Sequence, residues 1–239
     1  MKILITNDDG IGSPVLPKLA EWASRFGEVT VVAPKHEQSG KSQAIDFYRE
    51  VEIKKVDFPV DCEAWAVEST PADCVRFATI GLHRVYDLVL SGINRGYNLG
   101  DDIAYSGTVG AIMEAARVGI KAIALSTDFT TFDYALSELD NVYDFIMSKG
   151  LLDNARLLNV NIPTEPSRGI LITRQGGTYY TDAYVYRGND MYIQMGDPVI
   201  LEDKDLTVDI SAVQSGYISI TPLTEQKTDW TAYEKLKTI

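Results

Sequence analysis

Only two cysteines and two histidines occur among the 239 residues. Cys62 and Cys74 form neither a CxxC pair nor a zinc-like cluster, which excludes a disulfide framework and a thiolate metal site. No stretch approaches the roughly 18 apolar residues of a membrane span, and the opening MKILITNDDG turns polar too early for the apolar region of a secretory leader. A cytoplasmic location is expected. Basic residues are also scarce: 22 Lys+Arg stand against 34 Asp+Glu, a net charge of −12. That field repels polyanions, so neither a nucleic-acid polymer nor an anionic membrane is an expected partner. A phosphate-bearing ligand would need a local positive charge from some other source.

What the chain does have is a rhythm of buried strands and helices. Residues 2–6 (KILIT) read as a short strand, and Ser13-Pro14 as an N-cap with proline at the first helical position, opening a helix to about Phe26 that Gly27 closes. The run 28–33 (EVTVVA) completes a βαβ unit. Thr70 predicts a capped helix to about Ile80, followed by a strand at 87–90, a helix over 107–118, a strand at 122–126, a helix over 134–148 and a strand at 157–162. Such alternation implies the α/β class: a Rossmann-like, doubly wound, mostly parallel sheet that binds ligands at the carboxyl ends of its strands. Beyond Pro166 the texture changes to TYYTDAYVYR, MYIQM and GYISITPL, which predicts hairpins. The expected organisation is one domain: a core over 1–165, a β-rich hairpin extension over about 166–225, and a short helix within 226–239.

Three strand exits carry candidate chemistry. The first is Asn7-Asp8-Asp9-Gly10, two adjacent carboxylates where this fold binds ligands; the competing explanation is an Asx-type turn. The second is the polar loop 34–42, PKHEQSGKS, whose Gly40-Lys41-Ser42 lacks the earlier glycine of a phosphate-binding P-loop. Gly10-Ile11-Gly12 likewise lacks the third glycine of a dinucleotide fingerprint. The third exit, 91–110, is dense in glycine, serine and asparagine and ends in Ser106-Gly107-Thr108 at a helix start, where free amides, the helix dipole and two hydroxyls form an anion site. Simple N-capping is the alternative there. Together the exits offer Asp8, Asp9, Ser39 and Asn94 as oxygen ligands, a set that selects a hard divalent ion such as Mg²⁺ or Mn²⁺. Such an ion would let an acidic protein hold a phosphate monoester.

Six stretches resemble the SurE survival-protein nucleotidases: ITNDDGI at 5–11, APKHEQSGKS at 33–42, STPADCV at 69–75, SGINRGYNLGDDIAYSGTVGAIMEA at 91–115, LNVNIP at 158–163 and GYISITPL at 216–223. Ser69, Ala115 and Lys121 depart from the family's usual residues. The resemblance implies a Rossmann-like core, a C-terminal hairpin exchanged within a homodimer or homotetramer, and hydrolysis of nucleoside monophosphates with one divalent ion per subunit. It implies 5′-nucleotidase activity and leaves 3′-nucleotidase and exopolyphosphatase activity open. Carried over by motif, Asp8, Asp9, Ser39 and Asn94 ligate the metal, while Asn98, Ser106, Gly107 and Thr108 contact phosphate.

The expected mechanism is in-line attack of a metal-activated water, with Asp8 or Asp9 as proton acceptor, a weak role for a ligating carboxylate. His36 reads as a solvent-facing loop residue and His83 as structural. A haloacid-dehalogenase-type phosphatase needs its two aspartates two residues apart, because adjacent strand residues point oppositely. A nucleotide or metal sensor without turnover is the reading from another class. Tyr179, Tyr180, Tyr184, Tyr186 and Tyr192 read as a subunit contact rather than base recognition, and Arg95 as either a phosphate ligand or a partner of Asp101 or Asp102.

Overall fold

Side chains of successive strand residues point to opposite faces, so each buried strand feeds two hydrophobic layers. The computed structural model describes residues 1–202 and 204–238. In its first half, strands β1 (Lys2–Thr6), β2 (Glu28–Pro34), β3 (Ile53–Val56), β4 (Glu63–Val67) and β5 (Leu88–Arg95) alternate with helices α1 (Leu16–Ser24) and α2 (Pro71–Arg76). Helix α3 (Gly107–Arg117), β6 (Lys121–Thr127), α4 (Asp133–Ser148), α5 (Leu151–Asn154) and β7 (Leu157–Ile162) follow. The last third holds β8 (Ile170–Ile172), β9 (Ala183–Gly188), β10 (Met191–Met195), α6 (Asp209–Gln214), β11 (Ile218–Leu223) and α7 (Trp230–Leu236).

Nine strands form one sheet in the order β3-β4-β2-β1-β5-β6-β7-β11-β8. The six from β4 to β7 are parallel, while β3 and β11 run antiparallel to β4 and β7. Ile3, Ile5, Val31 and Leu90 face α1 and α4, packing on Leu16, Leu19, Leu139 and Ile146. Leu4, Val32, Val89 and Ala124 face α2 and α3, packing on Cys74, Val75, Ile112 and Ala115. The fold is thus a Rossmann-like, mostly parallel α/β sheet with a small hairpin attached. Among the described residues no helix is long and apolar enough to cross a membrane.

Four details differ from the sequence expectation. Ser13 does not cap α1: its amide donates to the Gly10 carbonyl (3.1 Å) and its carbonyl accepts from Leu16 (3.2 Å), closing a turn. The helix begins at Leu16, with Pro17 in its first turn. Strand β5 continues to Arg95, because a register shift between Ser91 and Asn94 lets pairing with β6 resume beyond it. The segment 166–225 is divided. Only β9 and β10 stand apart as a two-stranded ribbon, whereas β8 and β11 belong to the main sheet and α6 was not foreseen. GYISITPL resembles a half-exposed strand, yet its polar members are buried, Thr173 bonding Ser219 and Thr221 at 2.7 Å each. Finally, β3 and β4 extend the sheet at its other edge.

The C-terminal third matters because it clamps the loop between β5 and α3. Asp209, fully buried at the start of α6, accepts from the amides of Gly100 (2.9 Å), Gly176 (2.8 Å) and Ile210 (2.8 Å). Asp101 donates its amide to the Gly177 carbonyl at 2.9 Å, and Leu99, Tyr179, Ile210 and Val213 form a small apolar cluster beneath. Each buried donor left without an acceptor costs about 1–3 kcal/mol. Asp209→Ala is therefore expected to lower unfolding stability by about 3 kcal/mol and Asp209→Asn by less, as read from urea denaturation. A loss below about 0.5 kcal/mol for the alanine variant would show that the clamp is not stabilising.

Candidate active site

The carboxyl ends of β2, β1 and β5 lie side by side, so their three exits share one edge. At the first, Asn7 Nδ2 donates to the Gly10 carbonyl (2.9 Å) and the Gly10 amide donates to Asn7 Oδ1 (3.1 Å). Asn7 and Gly10 thus close the turn by themselves. The Asx-turn explanation accounts for these two residues and leaves both aspartates unexplained.

Asp8 is buried at 4% exposure. Its Oδ1 accepts from the Thr108 hydroxyl at 2.7 Å, and its carbonyl accepts from the Gln38 amide at 2.7 Å. A Cβ on Gly107 would lie 3.0 Å from Asp8 Cβ and 3.2 Å from both Asp8 Oδ2 and the Gln38 carbonyl. The absent side chain is what admits the α3 N-terminus this close. Strand exit, second loop and helix start therefore converge on one carboxylate. Within the helix start the labour is divided: Ser106 Oγ accepts from the Val109 amide at 3.1 Å, so capping accounts for Ser106, while Thr108 is turned to Asp8.

Asp9 faces elsewhere. Its Oδ2 is enclosed without a hydrogen-bond partner, and the residue lines a pocket of about 410 Å³ together with Ser39, Glu37 and Arg95. Ser39, exposed, donates its hydroxyl to Glu37 Oε1 at 2.7 Å, which leaves the lone pairs of its own oxygen available. Asn94 emerges just past the β5 register shift, where Gly92 has φ +132° and a Cβ would sit 2.2 Å from the Leu125 carbonyl. Its Nδ2 donates to the Gly96 carbonyl at 2.8 Å, and among the described residues none donates to its Oδ1.

Asn98 is brought to the same loop but committed inward. Its Nδ2 donates to Ser126 Oγ (2.8 Å), its amide to Asn161 Oδ1 (2.9 Å), and its carbonyl accepts from Asn159 and Asn161 (2.8 and 2.9 Å). His36 is exposed on the second loop. Arg95 pairs with neither Asp101 nor Asp102; its guanidinium lies 5.4 Å from the centre of the Phe132 ring. Phe129 and Phe132 line the pocket beside Asp9 and were not anticipated. They follow β6, whose exit holds neither an adjacent carboxylate pair nor a glycine-rich loop, so nothing in their spacing marks them.

Burial dominates the electrostatics of both aspartates. Burial pushes the Asp8 carboxyl above the usual range, against hydrogen bonds from Thr108 and backbone amides. Burial, then repulsion from Asp8, raises Asp9 to about 6, only partly opposed by the Arg95 amide and the Arg95 charge. Among the described residues no lysine, arginine or histidine forms an ion pair with either carboxylate. Nor do they contain a group of three or more His, Cys, Asp or Glu suited to a metal. A cation here would rest on two carboxylates and the neutral oxygens of Ser39 and Asn94, an all-oxygen donor set that suits a hard divalent ion. The orphaned Asp9 oxygen fits such an occupant.

The chain is similar to known proteins over nearly its whole length. The family model described as Survival protein SurE matches residues 3–182. The 5′-nucleotidase SurE of Thermoanaerobacter sp. (strain X514) is 42% identical over 233 residues, covering 93% of this chain and 92% of its own. That of Legionella pneumophila (strain Paris) is 36% identical and covers 100% and 97%. The crystal structure of the SurE protein from Aquifex aeolicus superposes with a TM-score of 0.82 at 33% identity, covering 100% of this chain and 99% of that one.

The raised Asp9 carboxyl has a consequence for stability. The folded chain keeps a proton between the ordinary value of 3.8 and about 6 that the unfolded chain releases. The stabilisation is thus full below pH 4 and is lost as pH rises to about 6. In metal-free protein, Asp9→Asn is expected to raise Tm at pH 7 and leave it nearly unchanged at pH 4. Millimolar Mn²⁺ is expected to raise the wild-type Tm at pH 7 and the variant's much less. Calorimetry checks both; an equal response of the two proteins to Mn²⁺ would remove Asp9 from the ligand set.

Proposed function

The chain belongs to the SurE survival-protein family, and on that premise we propose that it is a metal-dependent 5′-nucleotidase hydrolysing nucleoside monophosphates to nucleoside and phosphate. The observation that carries this reading is the pair of adjacent carboxylates, Asp8 buried and Asp9 half-buried, which form no ion pair among the described residues and leave one oxygen unpartnered. In this reading Asp8, Asp9, Ser39 and Asn94 hold one Mg²⁺ or Mn²⁺ per subunit. When bound, such an ion neutralises charge growing on the phosphoryl oxygens and acidifies a water nucleophile.

The remaining work falls to the chain. The α3 N-terminus, with Gly107 and Thr108, orients the phosphate through amides and the helix dipole. Ser106 fixes that helix start by capping it, and Asn98, braced by Asn159 and Asn161, would act from the preceding loop by holding its backbone in place. Thr108 also holds the Asp8 carboxylate at 2.7 Å, so phosphate cradle and carboxylate are positioned by one residue. Positioning and charge neutralisation dominate phosphoryl transfer, so this division suits the reaction.

The β9–β10 ribbon supports a further part of the reading, exchange of this hairpin within a homodimer or homotetramer. All its strand residues except Gly188 are exposed, with Tyr184 at 73% and Met191 at 65%. An isolated two-stranded ribbon of this kind is marginal in water. Two unpaired cysteines, Cys62 and Cys74, support a reducing, cytoplasmic setting.

Purified protein given AMP with millimolar Mn²⁺ or Mg²⁺ is expected to release phosphate, and EDTA to stop it. Asp8→Asn should lower the rate roughly 10³-fold, since several kcal/mol of charge stabilisation are at stake and about 1.4 kcal/mol corresponds to each decade. The absence of metal-dependent release from any nucleoside monophosphate would favour a sensor. A trapped aspartyl-phosphate would replace direct water attack by a covalent route. Replacing residues 182–197 by a short glycine linker is expected to reduce the particle to one chain of somewhat less than 26.4 kDa by light scattering; an unchanged oligomer would remove the hairpin from the subunit contact.

A further inference from the structure

Building on the nucleotidase reading, we propose that the pocket beyond Asp9 is the leaving-group subsite, in which the substrate's nucleobase lies against the ring of Phe129 with Arg95 as its hydrogen-bonding wall. The topology points there. Exits of β2 and β1 carry Ser39, Asp8 and Asp9, and the next two strands across the sheet, β5 and β6, deliver Arg95 and Phe129. The pocket joins the two halves, with Asp9 and Ser39 at one side and Arg95, Phe129 and Phe132 at the other. Its volume of about 410 Å³ suits a nucleoside.

The two phenylalanines differ in a way that core packing does not explain. Phe132 packs against the hydrophobic core and carries the Arg95 guanidinium on its face. Phe129 belongs to none of the apolar clusters and is 59% exposed. It is seated over Gly96, where a Cβ would meet its ring at 2.7 Å. An open aromatic face beside a phosphate site accepts any base by stacking. Arg95 has no ion pair among the described residues although the chain holds 34 acidic residues. Its guanidinium only donates hydrogen bonds, which matches the oxo groups and ring nitrogens of a base. The larger hollow lined by Asp102, Tyr105, Tyr180 and Tyr184 contains none of the four proposed metal ligands, whereas the pocket beyond Asp9 contains two, Asp9 and Ser39.

The test compares nucleotides with a phosphate ester that has no base. For wild type, Phe129→Ala, Phe129→Tyr and Arg95→Ala, kcat/KM is measured for AMP, GMP and ribose 5-phosphate with Mn²⁺. Phe129→Ala is expected to lower the ratio of nucleotide to ribose 5-phosphate roughly tenfold, mainly through KM, and Phe129→Tyr to restore it. Arg95→Ala is expected to lower the same ratio; an equal loss on all three substrates would make Arg95 a phosphate ligand and remove it from the subsite. A ratio unchanged by Phe129→Ala overturns the proposal while leaving nucleotidase activity standing. Independently, saturation-transfer NMR of adenosine with metal-free protein should show contact in wild type and none in Phe129→Ala. Contact by adenosine together with no metal-dependent hydrolysis of any ester would keep the base pocket and overturn the nucleotidase reading; equal contact in both proteins would overturn the pocket.

Discussion

Two carboxylates next to each other in sequence, largely withdrawn from water and without an ion pair among the described residues, are the constraint around which this molecule is arranged. Like charges in a poorly solvated setting oppose one another's ionisation, and the response is visible in the carboxyl groups of Asp8 and Asp9, both raised by burial. The chain relieves the strain only in part. Asp8 sits at the amino end of α3, where the helix dipole and the Thr108 hydroxyl favour its charge. Asp9 receives the Arg95 amide and keeps one oxygen bare. In the proposed function a divalent ion would occupy this region, and its charge would reconcile a chain of net charge −12 with an anionic substrate.

Such a region persists only if its walls cannot relax, and much of the fold serves that end. The loop from β5 to α3 is held from below by the amides and carbonyl of Asn98 and the side chains of Asn159 and Asn161. It is held from the side by Asp209, which grips the Gly100 amide. The second loop is fastened where the Gln38 amide meets the Asp8 carbonyl and where Ser42 donates its amide to the Tyr105 carbonyl at 2.9 Å. Further out, buried Glu114 binds Arg76, Arg117 and Gln43 at 2.8–3.1 Å, tying α2, α3 and that loop together. Rigid backing of this kind keeps like charges adjacent that would otherwise move apart.

The βαβ rhythm and the polar strand exits were legible in the sequence because both depend on local pattern: buried aliphatic runs for the strands, and glycine, asparagine and aspartate where the chain turns. Asp8, Asp9 and Thr108 could be placed together on that basis. Features that depend on distant partners were hidden. Ser13 reads as a cap until its amide is seen engaged with Gly10. Ser219 and Thr221 read as solvent-facing until Thr173 is found between them. Helix α6 is short, and it stands where Asp209 finds amides from loops more than 30 residues away. Phe129 carries no local signature, since its significance lies wholly in what stands across the pocket.

Adjacency of the two aspartates also bears on the type of reaction. Asp8 and Asp9 stand in the turn that Asn7 and Gly10 close just beyond β1, and their contacts lead in different directions. Here the divergence is resolved by different neighbours: Asp8 turns to the helix start that would cradle the phosphate, and Asp9 turns to the pocket beyond. Asp8, with an oxygen bonded to Thr108 and the α3 start so near that a Cβ on Gly107 would meet its own at 3.0 Å, is poorly placed to move as a nucleophile must. Asp9, though less confined, stands beside Glu37, whose charge would oppose the approach of a phosphate not already neutralised. Both carboxylates are thus better suited to holding a cation than to attacking phosphorus, which is the arrangement the proposed attack by water calls for.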